Sequence, residues 1–417
     1  MLSQDLKENK IKNMKIDNDV AMFFVGSVVP DESNYHTEAF SRAGVMFQIN
    51  LLNELKSSGL INLEIYSYEL IPVYPKSKKI YIIEKKNTSI TKNLDVTLVS
   101  FINLMIFKQL HIGINILIQI VKWGKRNIHK NKKIIYAYNL TVPPGIFLLI
   151  GSKLAKATLA VSINDIVLPE NHGVKSFFRK IDLWLHRIMI PKINKIIVVN
   201  KSIALDFGKK NDFLVMEGGV NSLEIKRWQG LTRSNKGKNK FKVVFAGSIE
   251  PINGIDCILG AFYLLKNDNI ELYIAGRGSW TNKVITATRN YKHIKYTGFL
   301  NFEEVNKLYS NADLLLNIRM TEKKYKSKYF FPSKLIEYLV TGIPTITTEF
   351  DGLEDDYKSI CFVLKDENPR SLAELISQIK NMDISERKKI GDAARSFIKT
   401  NKTWHHQAER VKQYLFS

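Results

Sequence analysis

Residues 243–278 read VVFAGSIEPINGIDCILGAFYLLKNDNIELYIAGRG. A short β-rich run, Val243 to Ala246, stops at Gly247, and a helix-length segment carries on through Leu265. A second β-rich run, Glu271 to Ala275, then ends in Gly276-Arg277-Gly278. Strand, glycine turn, helix and strand in that order predict a parallel sheet with crossover helices. The rhythm continues downstream. His293 to Thr297 before Gly298, Asp313 to Asn317, Ile343 to Thr347 and Ile360 to Val363 read as further strands. Pro332 to Val340 reads as a helix, with Gly342 as its stop and Pro344 just beyond.

The first half follows the same rule less cleanly. Val20 to Val25 ends at Gly26, a periodic helix runs from about Thr37 to Ser58, and Asn62 to Tyr66 is a second strand. Lys133 to Tyr136, Thr158 to Ser162 and Lys195 to Asn200 are separated by helix-length segments. The alternation breaks at 222–240, where six cations accompany one Glu without apolar periodicity. At 417 residues the chain is too long for one core. The expected organisation is α/β, with two doubly wound Rossmann-like domains facing a cleft. Residues 1–19 form a polar extension, 20–221 the first domain, 222–240 a basic linker and 241–400 the second domain. Residues 401–417 are a helix that can pack back on the first domain. Ligands of such sheets bind beyond the carboxyl ends of the strands.

Hydrophobic residues at 45% and charged residues at 24% exclude wholesale disorder. Two cysteines, Cys257 and Cys361, are too few for a disulfide framework or a zinc site. The first twenty residues lack an apolar secretory core. Leu98 to Trp123 is interrupted by Lys108, Gln109, His111, Gln119 and Lys122, so it reads as a buried or half-buried helix rather than a membrane span. The expected location is cytoplasmic. The net charge of +22 is uneven: residues 71–135 hold thirteen cations against Glu84 and Asp95. Residues 175–195 interleave Lys175, Arg179, Lys180, Arg187 and Lys192 with Phe177, Phe178, Trp184 and Leu185. That mixture suits an anionic lipid surface, and equally a core helix with a solvated basic face. A nucleic-acid partner is not expected, since no nucleic-acid module accompanies the charge.

The chemistry concentrates in residues 317–344, NIRMTEKKYKSKYFFPSKLIEYLVTGIP. Pro332 at a helix start leaves backbone N–H groups and the positive end of the macrodipole facing an anion. Ser333 adds a hydroxyl and Lys334 an ammonium group. Glu337, three residues on, shares the face of Lys334 and can accept hydrogen bonds from a ribose diol while Lys334 holds a diphosphate. An ordinary amphipathic helix with a surface ion pair would show the same spacing.

Across nearly its whole length the chain resembles the GT-B retaining glycosyltransferases of family 4. The matching segments, in order, are Gly44 to Leu55, IIVVNKSIALDF (196–207), MEGGVN (216–221), Val243 to Gly254, IAGRG (274–278), YTGF (296–299) and LYSNAD (308–313). The set Arg319, Tyr329, Phe331-Pro332-Ser333-Lys334, Glu337-Tyr338-Leu339 and Gly342 is similar to a subgroup of bacterial surface-polysaccharide transferases. The resemblance implies transfer of a hexosyl residue from a nucleotide sugar, with retention of configuration, to a polyprenyl-diphosphate-linked glycan of an O-antigen, capsule or exopolysaccharide. It implies a first domain that binds acceptor and a second that binds donor. Lys334, Arg319 and Asp165 are the expected catalytic residues. Glu337, Ser333, Pro332, Phe331, Tyr329, Gly278, Arg277, Phe299, Ser248 and Asn253 are expected to bind donor, and Gly26, Ser27, His36 and Asn164 acceptor.

Three departures accompany the match. Tyr329 stands where many members carry the first Glu of a Glu-x7-Glu pair. Ser248 and Asn253 stand where many carry Arg and Lys, and Asn164 replaces a His before Asp165. Lys334 and Arg319 are the nearby cations able to compensate. No Asp-x-Asp marks a metal loop, and Asp355-Asp356 reads as a charged loop, so neither cofactor nor metal is expected. The enzyme is expected to lie peripherally on the inner face of the cytoplasmic membrane. A degenerate scaffold or partner subunit and a nucleotide-sugar epimerase of the same architecture are the alternatives.

Overall fold

A computed structural model of the chain describes residues 19–417 apart from 33–34, 36–40, 58–60, 106, 165, 167, 169–173, 210, 230–239, 267–268 and 322–327. The chain divides into two compact units, Met1–Met216 with Ala408–Ser417, and Glu217–Gln407.

The first unit runs β1 (Val20–Gly26), α1 (Arg42–Ser57), β2 (Asn62–Ser67), β3 (Lys85–Thr91), β4 (Leu94–Leu98), α2 (Phe107–Arg126) and β5 (Lys132–Tyr138). It continues with α3 (Pro144–Ala155), β6 (Thr158–Ile163), α4 (Val174–Met189), β7 (Lys195–Val198), α5 (Lys201–Asp206) and β8 (Phe213–Val215). The sheet order is β8-β7-β6-β5-β1-β2-β4-β3. Every pairing is parallel except β3 with β4. Central β1 is apolar on both faces because helices cover both. Phe23 stacks on Tyr66 at 4.5 Å, and Phe24 meets Tyr136 edge-on at 5.5 Å.

Two expectations need correction here. The apolar stretch from Leu98 does not form one helix: β4 ends at Leu98, Phe101–Ile102 pairs antiparallel with Tyr81–Ile82, and α2 begins only at Phe107. Among the described residues no helix is long and apolar enough to cross a membrane. The hairpin β3–β4 has no counterpart in the sequence reading. Its outer strand, KKNTSIT, is an exposed edge without apolar alternation, so the signal used to find strands is missing there.

The second unit holds α6 (Ser222–Gln229), β9 (Phe241–Ala246), α7 (Ile255–Leu264), β10 (Ile270–Ala275), α8 (Thr281–Asn290), β11 (Ile294–Gly298), α9 (Phe302–Ser310) and β12 (Leu314–Asn317). After these come α10 (Lys334–Leu339), β13 (Thr345–Thr348), α11 (Asp355–Lys358), β14 (Phe362–Leu364), α12 (Pro369–Asn381), α13 (Ile384–Asn401) and α14 (Trp404–Phe416). The sheet order β11-β10-β9-β12-β13-β14 is the doubly wound one, with its switch between β9 and β12, where Val243 faces Leu314. The expected linker is not uniformly irregular. Its first part is α6, whose Ile225 and Trp228 are buried and whose Glu224 accepts from the Asn221 N–H at 3.0 Å. The rest of it, 230–239, lies outside the described residues.

Both ends of this unit are tied together. Val220 bridges Thr403, the Gln407 amide donates to the Gly218 carbonyl at 2.7 Å, and the Lys402 ammonium meets both carboxylate oxygens of Glu217 at 2.9 Å. The final residues of α14 group with the first unit. There the Tyr414 hydroxyl donates to the Asp212 carbonyl at 3.1 Å and accepts from the Ile196 N–H at 3.2 Å.

Candidate functional site

The loops after β9 and β10 cross at backbone contact. Gly276 has φ +138°, and a Cβ there would stand 1.8 Å from the Gly247 carbonyl oxygen. A Cβ at Gly278 would stand 2.3 Å from the Ile249 carbonyl oxygen. Only glycine allows this approach. The crossing is fastened by N–H groups of Gly247, Ile249 and Trp280 donating to Ala275, Arg277 and Ile249 carbonyls at 2.9, 3.0 and 3.1 Å. Glu250 caps it by accepting from the Ser279 hydroxyl and N–H, and these bonds hold its carboxyl below the usual range. Gly276→Ala is expected to cost about 2 kcal/mol or more, from strain plus the backbone clash. A urea midpoint unchanged by that substitution would contradict this packing.

Arg319 follows β12, on the other side of the switch. Its N–H donates to the Thr348 hydroxyl at 3.1 Å, and that hydroxyl donates to the Arg319 carbonyl at 2.7 Å. Its guanidinium lies 4.1 Å from the Phe330 ring centre and donates through Nη1 to Asn253 Oδ1 at 3.3 Å. The Asn253 amide donates in turn to the Ser248 carbonyl at 2.8 Å. Arg319 and the Asn253–Ser248 pair, 66 positions away in sequence, thus form one relay. Burial pushes the guanidinium below the usual arginine value, and among the described residues its buried Nε has no partner.

Lys334 opens α10 and extends its ammonium group to the Ala246 carbonyl, where β9 gives way to Gly247. Tyr338, one turn later, donates to the same carbonyl at 2.9 Å and accepts from the Ala246 N–H at 3.2 Å. A Cβ on Gly247 would stand 3.1 Å from Lys334 Nζ, so the ammonium group covers that glycine. Desolvation pushes Lys334 below the usual lysine value, opposed by the charge of Glu337. Glu337 exposes surface to solvent, yet the protein around it withholds enough water to push its carboxyl above the usual range. Lys334 lowers that value and Glu224 raises it further.

The helix expected from Pro332 is shorter than the sequence suggests. A turn in which the Leu335 N–H donates to the Pro332 carbonyl at 2.8 Å precedes Lys334, and Ser333 is exposed without a side-chain capping bond. Six residues carry little macrodipole, so positive charge here rests on side chains. The Phe331 ring packs on Phe350 at 5.7 Å and Tyr357 at 5.4 Å and so holds the segment to the core. Tyr329 is half-buried, with the Lys328 ammonium 5.7 Å from its ring centre. Phe299 is 67% exposed, and the Arg277 guanidinium stands 4.8 Å from its ring centre. That pair is a flat, cationic surface of the kind on which a base stacks.

In the first unit, Gly26 and Ser27 are engaged by buried Gln48. Its amide donates to the Ser27 hydroxyl at 3.1 Å and the Gly44 carbonyl at 2.9 Å, and its oxygen accepts from the Ser27 N–H at 2.9 Å. The Asn164 N–H donates to Asn139 Oδ1 at 2.8 Å and its amide to the Tyr138 hydroxyl at 3.3 Å. His36 and Asp165 lie outside the described residues. A polar cluster that is not among the residues expected from sequence lies just beyond β2. Buried Glu69 faces Lys85 Nζ at 3.3 Å and Lys79 Nζ at 3.8 Å, and Lys85 donates to the Tyr35 hydroxyl at 3.2 Å. The available signal was an acid directly after an apolar strand, in IYSYEL. Among the described residues no three His, Cys, Asp or Glu side chains converge as a metal site. Asp355 and Asp356 open the short α11.

With the glycine crossing, the relay and the two cations gathered at a doubly wound switch, the architecture is that of GT-B proteins. Residues 227–397, most of the second unit, match the family of glycosyl transferases group 1. The chain is 24% identical over 250 residues to an uncharacterized glycosyltransferase of Methanocaldococcus jannaschii, and the match spans 60% of that protein and 56% of this one. Among solved structures, a glycosyltransferase from Rickettsia africae superposes with a TM-score of 0.66 at 17% identity, covering 95% of this chain and 98% of that one. Anabaena HepE in complex with UDP gives 0.63 at 13% identity, covering 95% and 99%. These likenesses show the fold.

Proposed function

We propose that the protein is a glycosyltransferase that moves a hexosyl residue from a nucleotide sugar, a UDP-sugar by preference, to a growing lipid-linked surface polysaccharide. One observation carries the reading: Lys334 and Arg319, both from the segment that follows β12, reach across the β9/β12 switch to the two ends of the glycine-lined loop that follows β9. The UDP bound by the fold neighbour HepE favours that nucleotide.

Transfer breaks the bond between the anomeric carbon and a phosphate oxygen, leaving negative charge on the diphosphate and an oxocarbenium-like sugar. Lys334 and Arg319 would meet the first charge in a partly desolvated setting, where fixed cations act most strongly. They occupy the role of the missing loop Arg and Lys, and the Asn253–Ser248 relay delivers Arg319 to the loop where those residues would have stood. Metal-independent catalysis and retention, by attack on the face the diphosphate leaves, complete the proposal. Glu337 would accept the ribose hydroxyls, and Phe299 with Arg277 would carry the base. A non-catalytic partner that keeps the fold is the second reading, favoured by Tyr329 in place of a carboxylate.

Calorimetry with UDP, GDP, CDP and their sugars tests the proposal, with saturable binding of one nucleotide expected. Affinity should follow a bell in pH. Binding requires Glu337 ionised, so it weakens as pH falls through that group's raised pKa. It also requires Lys334 protonated, so it weakens as pH rises through that group's lowered pKa. Glu337→Gln should weaken binding and remove the acid limb. Undiminished nucleotide affinity in that variant would end the ribose assignment.

A further inference from the structure

From the first unit we infer a docking face for a bilayer bearing anionic phospholipids, formed by the outer surfaces of α2, α3 and α4, with a headgroup groove on α3. This deepens the lipid-linked acceptor proposed above, on which it rests, and does not depend on the donor site.

Helix α2 exposes Phe107, Leu110, Ile114 and Ile118, one stripe at helical spacing. Helix α3 exposes Ile146, Ile150 and Leu154, the last at 63%. The two helices pack in parallel: Gly113 lies against Phe147, Gly151 against Leu117 and Ile120, and Gly124 against Ala155. The α2 stripe is displaced one residue after the contact positions 113 and 117, and the α3 stripe one residue before 147, 151 and 155. Parallel helices turn the same way, so a step forward on one and a step back on the other bring both stripes to the same side. Met189 at the end of α4 approaches the Cβ position of Gly145 on α3 at 3.4 Å, and α4 joins β6 to β7 as α3 joins β5 to β6, so right-handed crossovers put both helices on one face of the sheet. It exposes Phe177 (62%), Ile181, Trp184 (60%) and Ile188, again at helical spacing.

Charge identifies the occupant. The sequences of α2, α3 and α4 contain one carboxylate, Asp182, which is paired with buried His186 at 3.3 Å. Lys122, Lys125, Lys153, Lys180 and Arg187 are among the cations of the same helices, and all five are exposed. Against α3 lies a groove of about 580 Å³, floored by Ile146, Leu149 and Ile150 and rimmed by Lys153, Lys156 and Lys192. An apolar floor under three ammonium groups matches a lipid phosphate with its acyl chains entering beside it. A second copy would set this basic face against itself. An anionic bilayer satisfies both the apolar stripes and the cations.

Flotation of the full chain, without nucleotide, with vesicles of phosphatidylcholine alone or mixed with phosphatidylglycerol tests the inference. The chain should float only with the anionic vesicles. The pairs Phe177→Ser/Trp184→Ser and Lys153→Glu/Lys192→Glu should each lower the bound fraction about tenfold, from lost apolar burial and lost charge respectively. Both pairs should leave nucleotide affinity unchanged. Trp184 emission should shift to the blue on binding, a change absent from Trp184→Phe, which still floats. No flotation, equal binding to neutral vesicles, or indifference to both pairs would overturn the inference. So would a dimer in lipid-free solution that the Phe177/Trp184 pair dissociates, because the face would then belong to a second copy. Vesicle binding without nucleotide binding would refute the donor site alone.

Discussion

Lys334→Ala is expected to lower kcat/KM for sugar transfer by roughly 10²–10³-fold, about 2.7–4 kcal/mol, the loss seen when one preorganised donor to developing negative charge is removed. The fold should survive, because the Ala246 carbonyl retains the Tyr338 hydroxyl at 2.9 Å and α10 keeps its buried Leu335, Ile336 and Leu339. The assay is transfer from the nucleotide sugar identified by calorimetry, with chelator present, beside a thermal melt. Loss of activity with an unchanged melt supports charge stabilisation. Activity within a few-fold of the parent would remove Lys334 from the mechanism, and a collapsed melt would make it a structural residue.

Lys402→Met should be the most destabilising single change in the second unit, by about 3–5 kcal/mol, because it leaves a buried carboxylate without its partner. Glu217 is 5% exposed and Lys402 8%, and the ammonium group also stands 5.1 Å from the Tyr357 ring centre. The double variant Glu217→Gln/Lys402→Met should recover much of that loss, since no charge then remains buried. Urea unfolding followed through the neighbouring Trp404 reads both. A single variant as stable as the parent would show that water reaches Glu217.

The fold was legible wherever burial writes itself into sequence. Strands covered on both faces, such as Met22 to Val25 and Val243 to Ala246, are unbroken apolar runs closed by glycine. Elements half in water were hard to see: the edge hairpin at Lys85–Leu98 and α6 within the basic stretch lack a continuous apolar signal. The start of α10 was misread for a local reason, because a proline before a helix can belong to the turn that precedes it. The packing of Phe331 on Phe350 and Tyr357 was not legible, because a ring that wedges against the core and a ring that meets a ligand look alike in sequence.

Sequence alone determined the two doubly wound halves and the glycine positions where backbones must touch, because periodicity and the absence of a Cβ are properties of the chain itself. It also singled out Lys334, Glu337 and Arg319 as chemistry-bearing residues. Tertiary structure alone decided what they face: Arg319 meets Asn253 across 66 positions, and Lys334 meets Ala246 across 88. It alone set the Glu217–Lys402 tie, 185 positions apart, and aligned the apolar stripes of α2 and α3 on one side. Such pairings depend on the register and hand of helices packed onto a sheet, and no local pattern of residues encodes them.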